Sequence, residues 1–460
     1  MLETLRKAIK IKEIRKRLYY TFFMMVVVRL GCQIAIPFLN GDIFNQIFKP
    51  QSATGATKDV LNFFNMFTGG SMEKMSIFAL NITPYITSSI IMQLLTIAIP
   101  KLDEIQKDGE EGRKKIAEIT RYLTVGLAII ESTAMLIGFN NSGYLIPDGF
   151  KAIPAWGVIV LGVLAMTAGS AVLMWIGEQI TEKGIGNGIS IVLTINIIQG
   201  MPATIGNLYT QYWSPYIKAV QSGKKTTAFN ESIGFVLLAT AIITAVIILL
   251  VSLVVILQGA TRKIGVQMSQ KVQGRRQVGG QQSSIPLRVN TAGVIPVIFA
   301  SSLMQFPVVI ATFLSGGKTP EWSNYLTQSS WLKAPWHYSI GFIVYLLLII
   351  FFAYFYTSIT FNPREVAKNL NDRGGFIPGI RSGKPTVEYL THILNYIILI
   401  GAIGLCIVSI IPIAGGSISG VQLGFGGTSI IIIVGVILET LETLKSMVSE
   451  HNYSTVRGIF

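Results

Sequence analysis

From Ile233 to Gln258 the chain carries no charged side chain. A helix of that length reaches across the ~30 Å hydrocarbon core of a bilayer. In lipid a backbone must satisfy its own hydrogen bonds, so a chain with several such runs is confined to helix bundles or closed barrels. Long uninterrupted apolar runs, rather than short alternating ones, point to helices. Composition agrees: 51% of the 460 residues are hydrophobic and 13% charged, against about 25% charged in soluble proteins. The predicted fold is an all-α polytopic membrane protein.

Ten spans are expected, at roughly 20–37, 76–99, 122–139, 155–177, 188–206, 233–258, 291–313, 339–361, 392–413 and 428–445. The third contains Glu131, and the fifth is short and rich in Gly and polar residues. No signal-peptide cleavage pattern is visible, so the first span is expected to stay in the mature chain. Residues 1–18 are basic and include Leu2, Leu5, Ile9 and Ile14, which fits a helix lying on the membrane surface. Lys and Arg number 27 on the side of the N-terminus and 9 on the other, with Arg29 inside the first span. The positive-inside rule then puts both termini in the cytoplasm. That asymmetry and lipid head groups explain much of the +14 net charge without invoking nucleic acid. Cys32 and Cys406 fall in apolar runs and read as buried free thiols. The three histidines, His337, His392 and His451, lack metal-ligand spacing.

The second span, SIFALNITPYITSSIIMQLLTIAIP, is interrupted by Pro84, which has no amide proton for an unbroken helix. Asn81, Thr83, Tyr85, Thr87, Ser88 and Ser89 surround the break. The seventh span has a similarly placed proline in Val294-Ile295-Pro296. Five spans per half would make the halves inverted repeats, and matched breaks in such repeats mark a substrate path. Two unrelated proline kinks are the alternative. Loops 259–290 and 362–391 are basic and punctuated by Gly and Pro. They read either as solvated positive-inside loops or as a docking platform. On the outer side, the apolar Asp59–Phe67 is too short to cross and could pack in a cavity or lie at the interface.

Signatures of chemistry are missing. The Gly-Lys steps at 223–224, 317–318 and 383–384 lack the earlier glycine of a P-loop. Gly184, Gly186 and Gly188 follow no strand and suit a tight reversal rather than a dinucleotide site. No enzyme activity, cofactor or metal is therefore expected. Glu131 is costly inside a membrane. It reads as a proton relay of a solute transporter or as part of a polar cluster with Gln93 and Asn290. Arg29 is expected to pair internally or to snorkel. An interaction scaffold without transport is a third reading.

Several stretches together resemble one family: NMFTGG at 65–70, SIFAL and PYI within 76–86, WIGEQITEKGIGNGIS at 175–190, QGRR at 273–276, NTAGVIPVIFASS at 290–302, NPRE and PGIR within 362–381, and FGGTS at 425–429. Their order and spacing are similar to those of the SecY family, the channel subunits of the Sec protein translocase, through essentially the whole chain. The resemblance implies ten helices in two inverted five-helix halves around an hourglass pore. The halves would be 1–206 and 207–445, followed by a tail at 446–460. It implies a constriction ring of Ile82, Ile86, Ile189, Leu193, Ile298 and Ile432, and a plug at about 55–70. It also implies a lateral gate between spans two and three and spans seven and eight, involving Asn81, Thr83, Gln93, Glu131 and Asn290. Of these, Ile82 and Ile86, and likewise Ile189 and Leu193, are four apart and share a helical face. Leu193 stands where isoleucine is usual in the family, Asn81 where glycine is common, and Glu131 where glutamine is expected. The implied function is a passive conduit for unfolded secretory polypeptides that also releases hydrophobic segments into the cytoplasmic membrane. Implied partners are the small subunits SecE and SecG, the SecA ATPase, the ribosome, signal peptides, nascent chains and the bilayer. Arg275, Arg276 and Arg381 are the expected partner contacts.

Overall fold

A computed structural model describes residues 6, 8–36, 68–141, 154–214, 216–217, 233–268, 271–273, 276–278, 282–314, 320–327, 331–332, 336–372, 374–419 and 427–457. Ten long helices account for most of them. In the first half these are α1 (Lys12–Gly31), α2 (Thr83–Ala98), α3 (Gly109–Asn141), α4 (Ala155–Lys183) and α5 (Gly188–Leu208). In the second they are α6 (Ile233–Gly259), α7 (Ile295–Leu314), α8 (Ile340–Thr360), α9 (Lys384–Ser419) and α10 (Gly427–Arg457). Each coincides with one expected span. By length and hydropathy alone, five described helices can cross a membrane, or six if α2 and the short helix Pro100–Lys107, bent by 102°, count as one. The apolar parts of α5 and α7, Gly188–Pro202 and Ile295–Val308, are shorter.

The boundaries correct the sequence reading in three places. The first span was expected to reach residue 37, but α1 ends at Gly31. A Cβ at Gly31 would sit 2.0 Å from the Phe78 ring, so the chain is pressed against the turn that precedes α2. It then leaves the helix and pairs with that turn: Ile36 N donates to Met75 O (2.8 Å) and Ile77 N to Ile34 O (3.0 Å). Secondly, Pro84 does not interrupt a helix. It occupies the second helical position of α2, and Pro296 the second of α7. A missing amide proton there loses no internal bond, so both prolines start helices. Thirdly, the N-terminal segment does not simply lie on the membrane. Ala8 and Ile14 are buried against Ile185, Leu444 and Val448, which spends its apolar side inside the protein. Leu2 and Leu5 lie outside the described residues.

The two broken spans are built alike. Asn81 (φ 54) and Gly293 (φ 63) each adopt the left-handed conformation three residues ahead of their proline. Four residues before each, a carbonyl meets a glycine of the fourth helix in its half. A Cβ at Gly169 of α4 would be 2.1 Å from Ile77 O, and one at Gly401 of α9 would be 2.5 Å from Val289 O. The halves touch along two seams. On one, α7 packs against α2 and α3; on the other, α10 packs against α5 and α1.

Strands, which the sequence reading did not anticipate, occur in the two basic loops. Strands β1 (Thr261–Met268) and β4 (Gln282–Arg288) form an antiparallel ribbon between α6 and α7, with β2 (Lys271–Gln273) and β3 (Arg276–Val278) towards its tip. From the other loop, β5 (Gly375–Phe376) adds to β1. Alternation explains the ribbon: Ile264, Val266 and Leu287 are buried on one face, against Ala367, Leu370 and Ile377 of the second loop and Leu390 of α9. The two loops thus form one platform with its own core.

Candidate pore and lateral gate

All six residues expected at the constriction lie in one apolar cluster that draws on both halves. Ile82, Ile86, Leu193, Ile298 and Ile432 are buried, and Ile189 packs half-buried against them. Local structure aims them. Ile82 caps α2 and Ile86 stands one turn on. The Gly-x-Gly-x-Gly run makes the reversal between α4 and α5: Gly186 is left-handed (φ 79), and a Cβ at Gly188 would be 1.9 Å from Gly177 O. Asn187 then caps α5, its Oδ1 accepting from Ile189 N (3.1 Å) and Ser190 N (3.4 Å). This fixes Ile189 and Leu193 at the start of the helix. Opposite Gly177 a Cβ would meet Ile189 Cγ1 at 3.1 Å and Ile82 Cδ1 at 3.6 Å, so these two isoleucines sit together over that glycine.

The expected gate residues are distributed differently from a single cluster. Gln93 Nε2 donates to Ser89 Oγ (3.3 Å) on its own helix, and Asn290 Nδ2 donates to Gly293 O (2.8 Å), pinning the turn before α7. No hydrogen bond joins Gln93, Glu131 and Asn290. Gln93 Oε1 and Glu131 Oε1 are buried with no partner among the described residues. The hydroxyls of Thr87 and Ser88 are spent on α2 itself, donating to Thr83 O (3.1 Å) and Pro84 O (2.7 Å). Much of the polarity of this span is therefore absorbed by its own backbone. Thr83, at the first position of α2, is half-buried.

One constellation was not anticipated. Asn196 of α5 donates through Nδ2 to Asn81 Oδ1 (2.9 Å), and its Oδ1 accepts from Arg29 Nη1 of α1 (3.2 Å). Ser170 of α4 donates to Asn81 O (3.2 Å). Arg29 thus finds an internal partner. The signal for Asn196 was available: an amide three residues past Leu193, flanked on both sides by isoleucine.

Of the expected partner contacts, Arg381 is exposed in the second loop, where its carbonyl accepts from Thr386 Oγ1 (2.8 Å). Arg276 pairs with Gln273 at the ribbon tip, and Arg275 lies outside the described residues. So does 55–67 of the expected plug; its end, Thr68–Gly70, is described. Cys32 and Cys406 are buried free thiols.

The SecY family model matches residues 76–441. "Protein translocase subunit SecY" of Streptomyces coelicolor is 39% identical over 464 residues, covering 98% of this chain and 99% of the relative. The chain belongs to the SecY family. The subunit of the same description from Bacillus subtilis is 38% identical over 460 residues with the same coverage. Among solved structures the fold is similar to "The structure of a protein conducting channel", with TM-score 0.64, 19% identity and 94% and 92% of the two chains covered. It is also similar to "Sec61 in the Canine ribosome-channel complex from the endoplasmic reticulum", with TM-score 0.60, 18% identity and the same coverage.

Proposed function

We propose that this SecY-family chain is the passive pore of a Sec translocase in the cytoplasmic membrane, with both termini cytoplasmic. It passes unfolded secretory polypeptides and releases hydrophobic segments sideways. The observation that carries this reading is the coincidence of two features. Six aliphatic residues from four helices of both halves share one cluster, and α7 closes against α2 and α3 along a single seam.

Each feature has a physical role. Aliphatic side chains seal a narrow pore by packing and dewetting, yet deform around a passing chain. The seam is the exit. An apolar signal segment displaces α7 from α2, and each Leu or Ile that reaches lipid favours insertion by roughly 0.5 kcal/mol. Buried oxygens without partners, such as Gln93 Oε1 on α2 and Glu131 Oε1 on α3, cost about 1–3 kcal/mol apiece. They leave the closed seam weaker than an apolar one. Transport is driven from outside by the SecA ATPase or a translating ribosome. These dock on the joined loops through Arg275, Arg276 and Arg381, because guanidinium suits both phosphate and carboxylate. SecE and SecG flank the helices, the two halves move as 1–206 and 207–445, and 55–70 plugs the idle pore.

The test is a cysteine pair across α2 and α7. Oxidation should block both export and membrane insertion, and reduction should restore them. Normal rates through the cross-linked seam would refute the lateral exit.

A further inference from the structure

We propose that Asn196 is a positioning residue of the pore: it latches the ring-bearing end of α2 to α5 and α1, and so sets how tightly the resting channel seals. This rests on the pore reading above. Asn81 and Asn196 are each 1% exposed, beside the aliphatic cluster of the ring. Two amides in such a place are costly unless they satisfy one another. They do so at 2.9 Å, and the remaining Asn196 oxygen takes the Arg29 guanidinium at 3.2 Å.

Position gives the bond its consequence. Asn81 directly precedes Ile82, the first ring residue, and Asn196 lies three residues beyond Leu193 on α5. The turn at Gly69 packs beside the same pair: a Cβ there would be 2.9 Å from Asn196 Cα and 3.0 Å from Arg29 Nη1. A single side chain therefore ties α1 and the start of α2 to α5. The start of α2 cannot draw away from α5 without breaking this bond, and the helices keep their own hydrogen bonds when it breaks. Asn81 holds its left-handed conformation (φ 54), which glycine adopts at no cost. Glycine there would keep the turn and lose only the amide.

Resting ion conductance of the reconstituted translocase, measured with no substrate present, tests the latch. N196L removes both bonds while keeping the number of side-chain heavy atoms, and N81G removes the whole Asn81 amide while relieving backbone strain. Each should raise resting conductance about fivefold, the effect of losing the Asn81–Asn196 bond that both variants remove. Each should also export a reporter with a weakened signal segment. The double variant should leak less than the two single changes combined, because both remove the Asn81–Asn196 bond. The unfolding midpoint of N81G should not fall, which separates the latch from a role in folding and keeps the test intact if N196L is unstable. Wild-type tightness in N81G and N196L, alongside a leaking I86G, would overturn the latch and leave the pore reading standing. A tight I86G would overturn both. Additive leaks in the double variant would also refute the shared bond.

Discussion

Gly169 offers the sharpest test of how the broken spans are held. Replacing it with alanine puts a Cβ 2.1 Å from Ile77 O, whereas ordinary contact begins at 3.4 Å, so about 1.3 Å must be found. The carbonyl belongs to the turn ahead of α2. That turn is held by Ile77 N donating to Ile34 O (3.0 Å) and by Ser170 Oγ donating to Asn81 O (3.2 Å). A shift of that size takes both beyond hydrogen-bond range. Overpacking costs about 1–3 kcal/mol and each lost bond about 1 kcal/mol, so G169A should lose about 3–5 kcal/mol. The control is G126A on α3, where an added Cβ meets nothing within 4 Å; it should gain about 0.5–1 kcal/mol. Unfolding of the purified protein in detergent, by heat or by titrated SDS, reads both. Stabilities of G169A and G126A within about 1 kcal/mol of each other would refute the close-packed turn. The pseudo-equivalent G401A, with its contact at 2.5 Å, should move in the same direction as G169A by a smaller amount.

Pro84→Ala should change stability by less than about 1 kcal/mol, because a proline at the second helical position replaces no internal hydrogen bond; a change above about 2 kcal/mol in detergent unfolding would restore the kink. Asn187→Ala removes a cap that accepts two backbone amides and should cost about 1 kcal/mol. It should also raise resting ion conductance by loosening Ile189 and Leu193; unaltered stability would show that the cap carries nothing. Arg381→Ala, at an exposed position, should leave stability within about 0.5 kcal/mol while weakening SecA or ribosome binding to reconstituted vesicles. Equal affinity would remove Arg381 from the docking surface.

The membrane architecture was legible because apolar runs and loop charges act one residue at a time. The paired prolines could likewise be seen. Their effect could not, since whether proline kinks a helix or starts one depends on the residues ahead of it. The left-handed turns at Asn81 and Gly293 decide that, and they are stabilised by contacts to Gly169 and Gly401 far along the chain. The end of α1 was misplaced for the same reason: its sequence continues apolar, and only the Phe78 ring at Gly31 stops it. The expected ring positions came from the resemblance alone, since one buried isoleucine in a run of aliphatics looks like another. Asn196 was overlooked because its meaning lies in two partners 115 and 167 residues distant. The strands of the loops were hidden among basic and glycine-rich residues. Their alternation, Ile264 with Val266 and Leu287 opposite, emerges only once a register is known.

The ribbon between α6 and α7 has a mechanical consequence. Its ladder runs from the pair Thr261–Arg288 outward, and eight residues of strand at ~3.3 Å each make an arm about 25 Å long. At its base Val289 N donates to Ala260 O (2.9 Å), and Arg288 meets Glu442 of α10 at 2.8 Å. The next residues are Val289 and Asn290, in the turn that opens α7. A sideways load at the tip therefore acts as on a crank. The base is the fulcrum, and the short side of the lever is the turn that positions α7. Because β5 is stitched to β1, a pull on either loop would turn the same crank, and α7 would feel it without being touched.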